Sequence, residues 1–150
     1  MKFYDYLDAY DNNIVDIYFD MDGVFAEYDI GNFEYSTIRP IKSVIKIMEK
    51  LTKEGYNVKI LSICKTNKIV EEKYEWIDKY MPFFDPKNAV FLSKEERPEF
   101  ESNELKSNYL KDNINKEHIN ILIDDDSVII KTIVKENKDV KVFHVSSIIE

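Results

Sequence analysis

Short runs of β-branched and aliphatic residues alternate along this chain with stretches whose apolar positions recur every three to four residues. The runs at 14–19 (IVDIYF), 57–61 (NVKIL), 89–92 (AVFL), 120–123 (NILI) and 140–145 (VKVFHV) have strand length and strand composition. Between them, Ile41, Val44, Ile45, Met48 and Leu51 mark a helix over 40–53, with Pro40 in its first turn and Gly55 just past its end. Ile69, Val70, Trp76 and Ile77 mark a second helix over 67–80, stopped by Pro82. A short helix is expected around 105–110 and another over 129–134. Phe3, Tyr4, Tyr6, Leu7 and Tyr10 have helical spacing and are expected to pack across one side of the core.

Five short strands joined through helices predict an α/β fold, a parallel five-stranded sheet flanked by helices on both faces. Parallel crossovers are right-handed, and ligands bind at the carboxyl ends of such strands. Asp20 and Asp22 follow the first strand, Ser62 the second, and Asp124, Asp125 and Asp126 the fourth. All are therefore expected on one edge of the sheet. Residues 1–150 read as a single domain, without repeats or low-complexity linkers. The stretch 24–39 is too short for a second domain. Its aromatics Phe25, Tyr28, Phe33 and Tyr35 either form a flap over a base or sugar or pack against the sheet edge.

Charge narrows the choice of partners. With 21 basic and 29 acidic residues the net charge is −8, a field that repels polyanions, so no extended nucleic acid is expected as a partner. A small phosphorylated substrate stays possible, because a metal ion reverses the field locally. Cys64 is the only cysteine, no apolar run approaches the roughly 20 residues of a membrane span, and the N-terminal residues lack a secretory pattern. A cytoplasmic protein without membrane association is expected. Nothing in the sequence speaks to oligomeric state.

The acidic turns carry the chemistry. Asp20 and Asp22, in an Asp-Met-Asp-Gly turn, repel each other unless a cation lies beside them, and magnesium is the usual hard ion next to phosphate. Asp124, Asp125 and Asp126 repeat the pattern at a second strand end. A helix N-cap accounts for Asp126 or Ser127 but not for Asp124 at the strand tip. Ser62 is either a turn residue or a donor to a phosphoryl oxygen. Lys106 is either a solvated surface group or a point charge over the same edge, with Lys94 and Arg97 as weaker competitors. Trp76 reads as core, Cys64 as incidental, and His118 and His144 lack metal-site spacing.

The order Asp-x-Asp-Gly, Ser, helical Lys and Ile-Asp-Asp resembles the haloacid dehalogenase (HAD) superfamily of phosphatases. Within it, ILSICKTN, EEKYEWIDKYMP, LKSNYL and ILIDDD are similar to the 5'(3')-deoxyribonucleotidase-like group. The resemblance implies a three-layer Rossmann-like HAD core with no more than a minimal cap at 24–39. It implies a magnesium-dependent phosphomonoester hydrolase working through an aspartyl-phosphate, with a nucleoside monophosphate or another small phosphomonoester as substrate. Asp20 would be the nucleophile and Asp22 the general acid and base, while Ser62 and Lys106 would bind phosphate. Asp20, the Asp22 backbone carbonyl, Asp124 and, beside it, Asp125 would hold Mg2+. Val128, Ile129 and Ile130 stand where relatives often carry an Asn or Asp. A HAD-like binding or regulatory protein that keeps the metal site is the alternative. A receiver-type signalling domain is disfavoured, because the third strand ends in Leu92 and Ser93 rather than in an acid.

Overall fold

The computed structural model describes residues 2–29, 31 and 34–149. Its elements run α1 (Phe3–Asp8), β1 (Val15–Phe19), α2 (Lys42–Lys53), β2 (Asn57–Cys64), α3 (Asn67–Tyr80), β3 (Ala89–Ser93), α4 (Ser102–Asn113), β4 (Ile119–Asp124), α5 (Ser127–Glu136) and β5 (Val140–His144). The five strands form one sheet in the order β3-β2-β1-β4-β5, and every pairing is parallel. This is the expected α/β architecture with a Rossmann-like layering.

Alternation along the strands builds the layers. Ile17 and Phe19, Val58 and Ile60, and Ile121 and Ile123 share one face with Leu7 of α1, Val44 and Met48 of α2 and Trp76 of α3. Tyr18, Leu61 and Leu122 point the other way, onto Leu110 of α4 and Ile129 and Ile133 of α5. The central strand β1 is buried over its whole length, as a strand covered on both faces must be. This two-sided burial explains why its composition is apolar without strict alternation.

The helix ends follow local chemistry. Thr66 Oγ1 accepts from the Ile69 amide at 3.2 Å to start α3. Glu101 and Glu104 form a reciprocal capping box on α4, which begins three residues before the expected start. Asp126 caps α5 through the amides of Val128 and Ile129 at 2.8 and 3.1 Å. Gly55, at φ 96°, turns the chain out of α2 in the left-handed region.

Two expectations change. Strand β2 continues through Ser62 to Cys64, because Ser62, Ile63 and Cys64 find partners in Phe91, Leu92 and Ser93 of β3. Ser62 therefore lies inside a strand and is fully buried, not in a turn. The stretch after Asp22 is tied down rather than open: the amides of Val24, Phe25 and Ala26 all donate to the Met21 carbonyl at 3.1 Å, and Ile41 N donates to Phe25 O at 2.8 Å. Phe25 is core, Tyr28 is exposed, and Tyr35 reaches the acidic turn; Phe33 lies outside the described residues.

Candidate functional site

Parallel strands end together, and here three neighbouring strands deliver the polar residues to one edge. Asp20 follows β1 directly, its amide donating to Ile123 O at 2.9 Å, so the β1–β4 ladder itself places Asp20 beside Asp124. Lys106, on α4 across the sheet edge, is fully buried between them. Its Nζ donates to Asp20 Oδ1 at 2.9 Å and to Asp124 Oδ2 at 2.8 Å. The other oxygen of Asp124, Oδ1, accepts the backbone amides of Asp125 and Asp126 at 2.8 and 3.0 Å. Asp124 is thus fixed on both sides.

A second buried lysine completes the edge. Lys73 of α3 donates to Asp22 Oδ2 at 2.8 Å, to Ser62 Oγ at 2.9 Å and to Ile63 O at 3.2 Å. The Tyr35 hydroxyl donates to Asp22 Oδ1 at 2.6 Å. The sequence motifs give Lys73 no role, and the sequence offers Tyr35 only as a flap aromatic or as packing against the sheet edge. The signal for Lys73 was present: it occupies the apolar stripe of α3, three residues before Trp76 and four before Ile77. A lysine on a buried stripe must meet an acid or carbonyls.

The electrostatics are those of a crowded, poorly hydrated acidic centre. Burial pushes the Asp20 carboxyl up to about 7; the Lys106 ammonium works against this, and Asp124 and Asp22 add to it. Burial opposes the charge on Lys106, but Asp20 and Asp124 together outweigh it and raise its pKa. Asp125 is also raised, by burial and by Asp124. Burial drives the Tyr35 phenol upward, with Asp22 adding to it, so this hydroxyl stays a donor. The Cys64 thiol is likewise pushed up to about 11 by burial, despite Lys73 nearby.

Asp20, Asp124 and Asp125 each offer a carboxylate oxygen, and these oxygens lie within 4.8 Å of one another. An all-oxygen, multiply charged donor set of this kind fits a hard divalent cation such as Mg2+. Gly23, at φ 82°, contributes by absence: a Cβ there would run into the Asp125 carboxylate. The structure therefore gathers Asp20, Asp22, Ser62, Lys106, Asp124 and Asp125 on one edge. It leaves Asp126 to cap α5. Lys94 and Arg97 lie on the loop after β3, where no hydrogen bond joins their side chains to these carboxylates.

No protein-family model and no curated protein matches the chain. Among solved structures it is similar to a chain of the Pnkp1/Rnl/Hen1 complex, with TM-score 0.70 and 15% identity, over 87% of this chain and 45% of that one. A chain of the Pnkp1/Rnl/Hen1 RNA repair complex gives TM-score 0.68 and 18% identity, over 87% of this chain and 42% of that one. At such identities the likeness is one of fold, and this chain spans less than half the length of those chains. The likeness leads to an RNA repair complex and not to the HAD phosphatases, which corrects the family resemblance drawn from the motifs. The small-molecule phosphomonoester hydrolase, the nucleotidase assignment and the HAD-like binding alternative are corrected with it. Acids at strand tips recur wherever a parallel sheet handles a cation or a phosphate, so their order specifies chemistry and not family. The exclusion of extended nucleic acid is corrected as well. A net charge of −8 sums over the whole surface, whereas recognition depends on the local field, here set by two buried lysines among the carboxylates. No helix among the described residues is long and apolar enough to cross a membrane.

Proposed function

We propose that this domain carries out divalent-cation-dependent phosphoryl transfer at the end of an RNA strand. The observation that carries the reading is the convergence of Asp20, Asp124 and Asp125, with carboxylate oxygens within 4.8 Å of one another and the Lys106 ammonium against Asp20 and Asp124. The choice of RNA is supported by the fold likeness to chains of an RNA repair complex.

Each residue then has a part. Asp20, at the tip of β1, is the carboxylate that attacks phosphorus, and Lys106 keeps it oriented and lowers the cost of its ionisation. Asp20, Asp124 and Asp125 would hold Mg2+ through their carboxylate oxygens. When bound, that ion offsets the negative charge on the phosphoryl oxygens, the main demand of this chemistry. Asp22, gripped by Tyr35 and Lys73, gives a proton to the RNA oxygen as its bond to phosphorus breaks. It then takes the proton of the acceptor hydroxyl that displaces Asp20 from phosphorus and carries the phosphoryl group away. Ser62 and Lys73, hydrogen-bonded at 2.9 Å, form a donor pair for a phosphoryl oxygen.

The test compares end-phosphorylated RNA oligonucleotides with mononucleotides, each carrying a labelled terminal phosphate, in Mg2+ and after chelation. Label should leave the oligonucleotide only with Mg2+, and with a kcat/KM well above that for mononucleotides. Equal values for both, or transfer that survives chelation, would overturn the reading.

A further inference from the structure

Both carboxylate oxygens of Asp22 are engaged before any substrate arrives. Oδ2 accepts from Lys73 Nζ at 2.8 Å, and Oδ1 accepts from the Tyr35 hydroxyl at 2.6 Å. A side chain that gives a proton to a substrate oxygen must come within about 2.6–3.2 Å of it. The RNA oxygen that leaves phosphorus therefore needs the place of one of these two donors. The sense of the hydrogen bond also has to reverse. Tyr35 donates into Oδ1, whereas the RNA oxygen accepts a proton from Asp22.

The two donors differ in their freedom to leave. Lys73 is fully buried, and its Nζ also serves Ser62 Oγ and the Ile63 carbonyl, so its withdrawal would strip three acceptors at once. Tyr35 is half-buried, and among the described residues its hydroxyl has Asp22 as its one partner. Tyr35 is the donor that yields.

The backbone that carries Tyr35 is fastened on both sides of the chain. Tyr35 N donates to Glu72 Oε2 at 3.2 Å, and Trp76 Nε1 donates to Ile38 O at 2.9 Å, so α3 grips the segment at two points one turn apart. Glu27 N donates to Arg39 O at 2.9 Å and ties the far end to the turn after Asp22. The segment stays in place while the ring turns about its Cα–Cβ bond to another staggered position. The ring now lies against the edge of Trp76, with centroids 6.2 Å apart, and the Lys73 ammonium is 5.3 Å from its centroid. Turning it out opens a space beside Asp22 that is bounded by a cation and an aromatic side chain.

We infer that the Tyr35 hydroxyl holds the place of the RNA oxygen that leaves phosphorus, and that the arriving RNA end turns the Tyr35 ring out and seats its terminal ribose where the ring lies, beside Lys73 and Trp76. The inference rests on the RNA-end reading of the carboxylate site and gives that site its ribose-binding position. Tyr35 then acts as an internal competitor of the substrate: the binding-competent state is the fraction of molecules in which the ring has turned away.

Tyr35→Phe tests this, because it removes the hydroxyl and keeps the ring. Release of labelled terminal phosphate from RNA in Mg2+ should show KM lowered about three- to tenfold in the variant, with kcat within about twofold of wild type. Trp76, the one tryptophan of the chain, gives a second readout. In Asp20→Asn protein, its emission should change saturably as end-phosphorylated RNA binds, with binding followed independently by the anisotropy of the labelled RNA. A fall in kcat at unchanged KM in Tyr35→Phe would make Tyr35 a mere support for Asp22 and overturn the inference. Unaltered constants, or RNA binding without a change at Trp76, would overturn it as well. The two readings fail separately. Label transfer by the wild type with a slower or unaltered Tyr35→Phe sinks the Tyr35 assignment alone, whereas absence of transfer by the wild type sinks the reaction and this inference with it.

Discussion

Gly23 leaves vacant the space that the Asp125 carboxylate fills: any side chain at position 23 would meet that carboxylate head-on. The turn after Asp22 thus leaves room for one of the clustered carboxylates. Gly23→Ala should be penalised twice. The left-handed φ of 82° costs a non-glycine residue about 1–2 kcal/mol, and the new methyl displaces Asp125. Chemical denaturation should show a loss of roughly that size, and Mg2+ titration should show weaker binding.

Lys73 is the second point of failure. It is buried against Asp22, Ser62 and the Ile63 carbonyl, so Lys73→Met leaves three acceptors unserved. Breaking a buried pair is costly, here about 2–3 kcal/mol because Asp22 keeps some contact with water. Turnover should fall at least tenfold, since Asp22 also loses its orientation. Urea unfolding and steady-state kinetics on the same preparation separate the two effects.

Protonation of Asp20 should make metal binding pH-dependent. Its folded-state pKa is raised to about 7 from the ordinary 3.8, so the fold favours the protonated form. The stability this contributes is complete below about 4 and is lost as pH rises through about 7. Cation-free protein should therefore lose stability from this group between about pH 4 and pH 7. Mg2+ binds the ionised carboxylate, so the rise in Tm that it produces should grow across the same interval. Thermal melts with and without Mg2+ at several pH values read this directly.

Cys64 should be inert in the folded protein. It is almost fully buried, and burial holds its thiol up at about 11. A thiol reagent at pH 8 should leave it unmodified until denaturant is added, as mass spectrometry will show.

Much of the site was legible before any coordinates. Asp20, Asp22 and Asp124 sit at the tips of strands whose composition announces them, and the carboxyl-edge rule for parallel sheets then brings them together. Asp126 was likewise readable as a cap. Ser62 was placed at the right edge but in the wrong local setting, because a serine after an apolar run looks like a turn until β3 is known to pair with it. Lys73 was hidden for a different reason. Periodicity marks its position as buried, yet its partners Asp22 and Ser62 come from two other elements and only the tertiary structure supplies them. Family membership and partner class lay furthest from view, since short acidic motifs and a summed net charge describe chemistry and average field, not what the domain docks against.

One comparison bears most directly on the carboxylate edge as a reaction centre. RNA with a labelled terminal phosphate is incubated in Mg2+ with wild-type protein and with Asp20→Asn, and label release is followed to completion. We expect transfer by the wild type and a loss of at least a thousandfold in the variant, with its fold unchanged by circular dichroism. Undiminished transfer by Asp20→Asn would contradict the role of Asp20 outright.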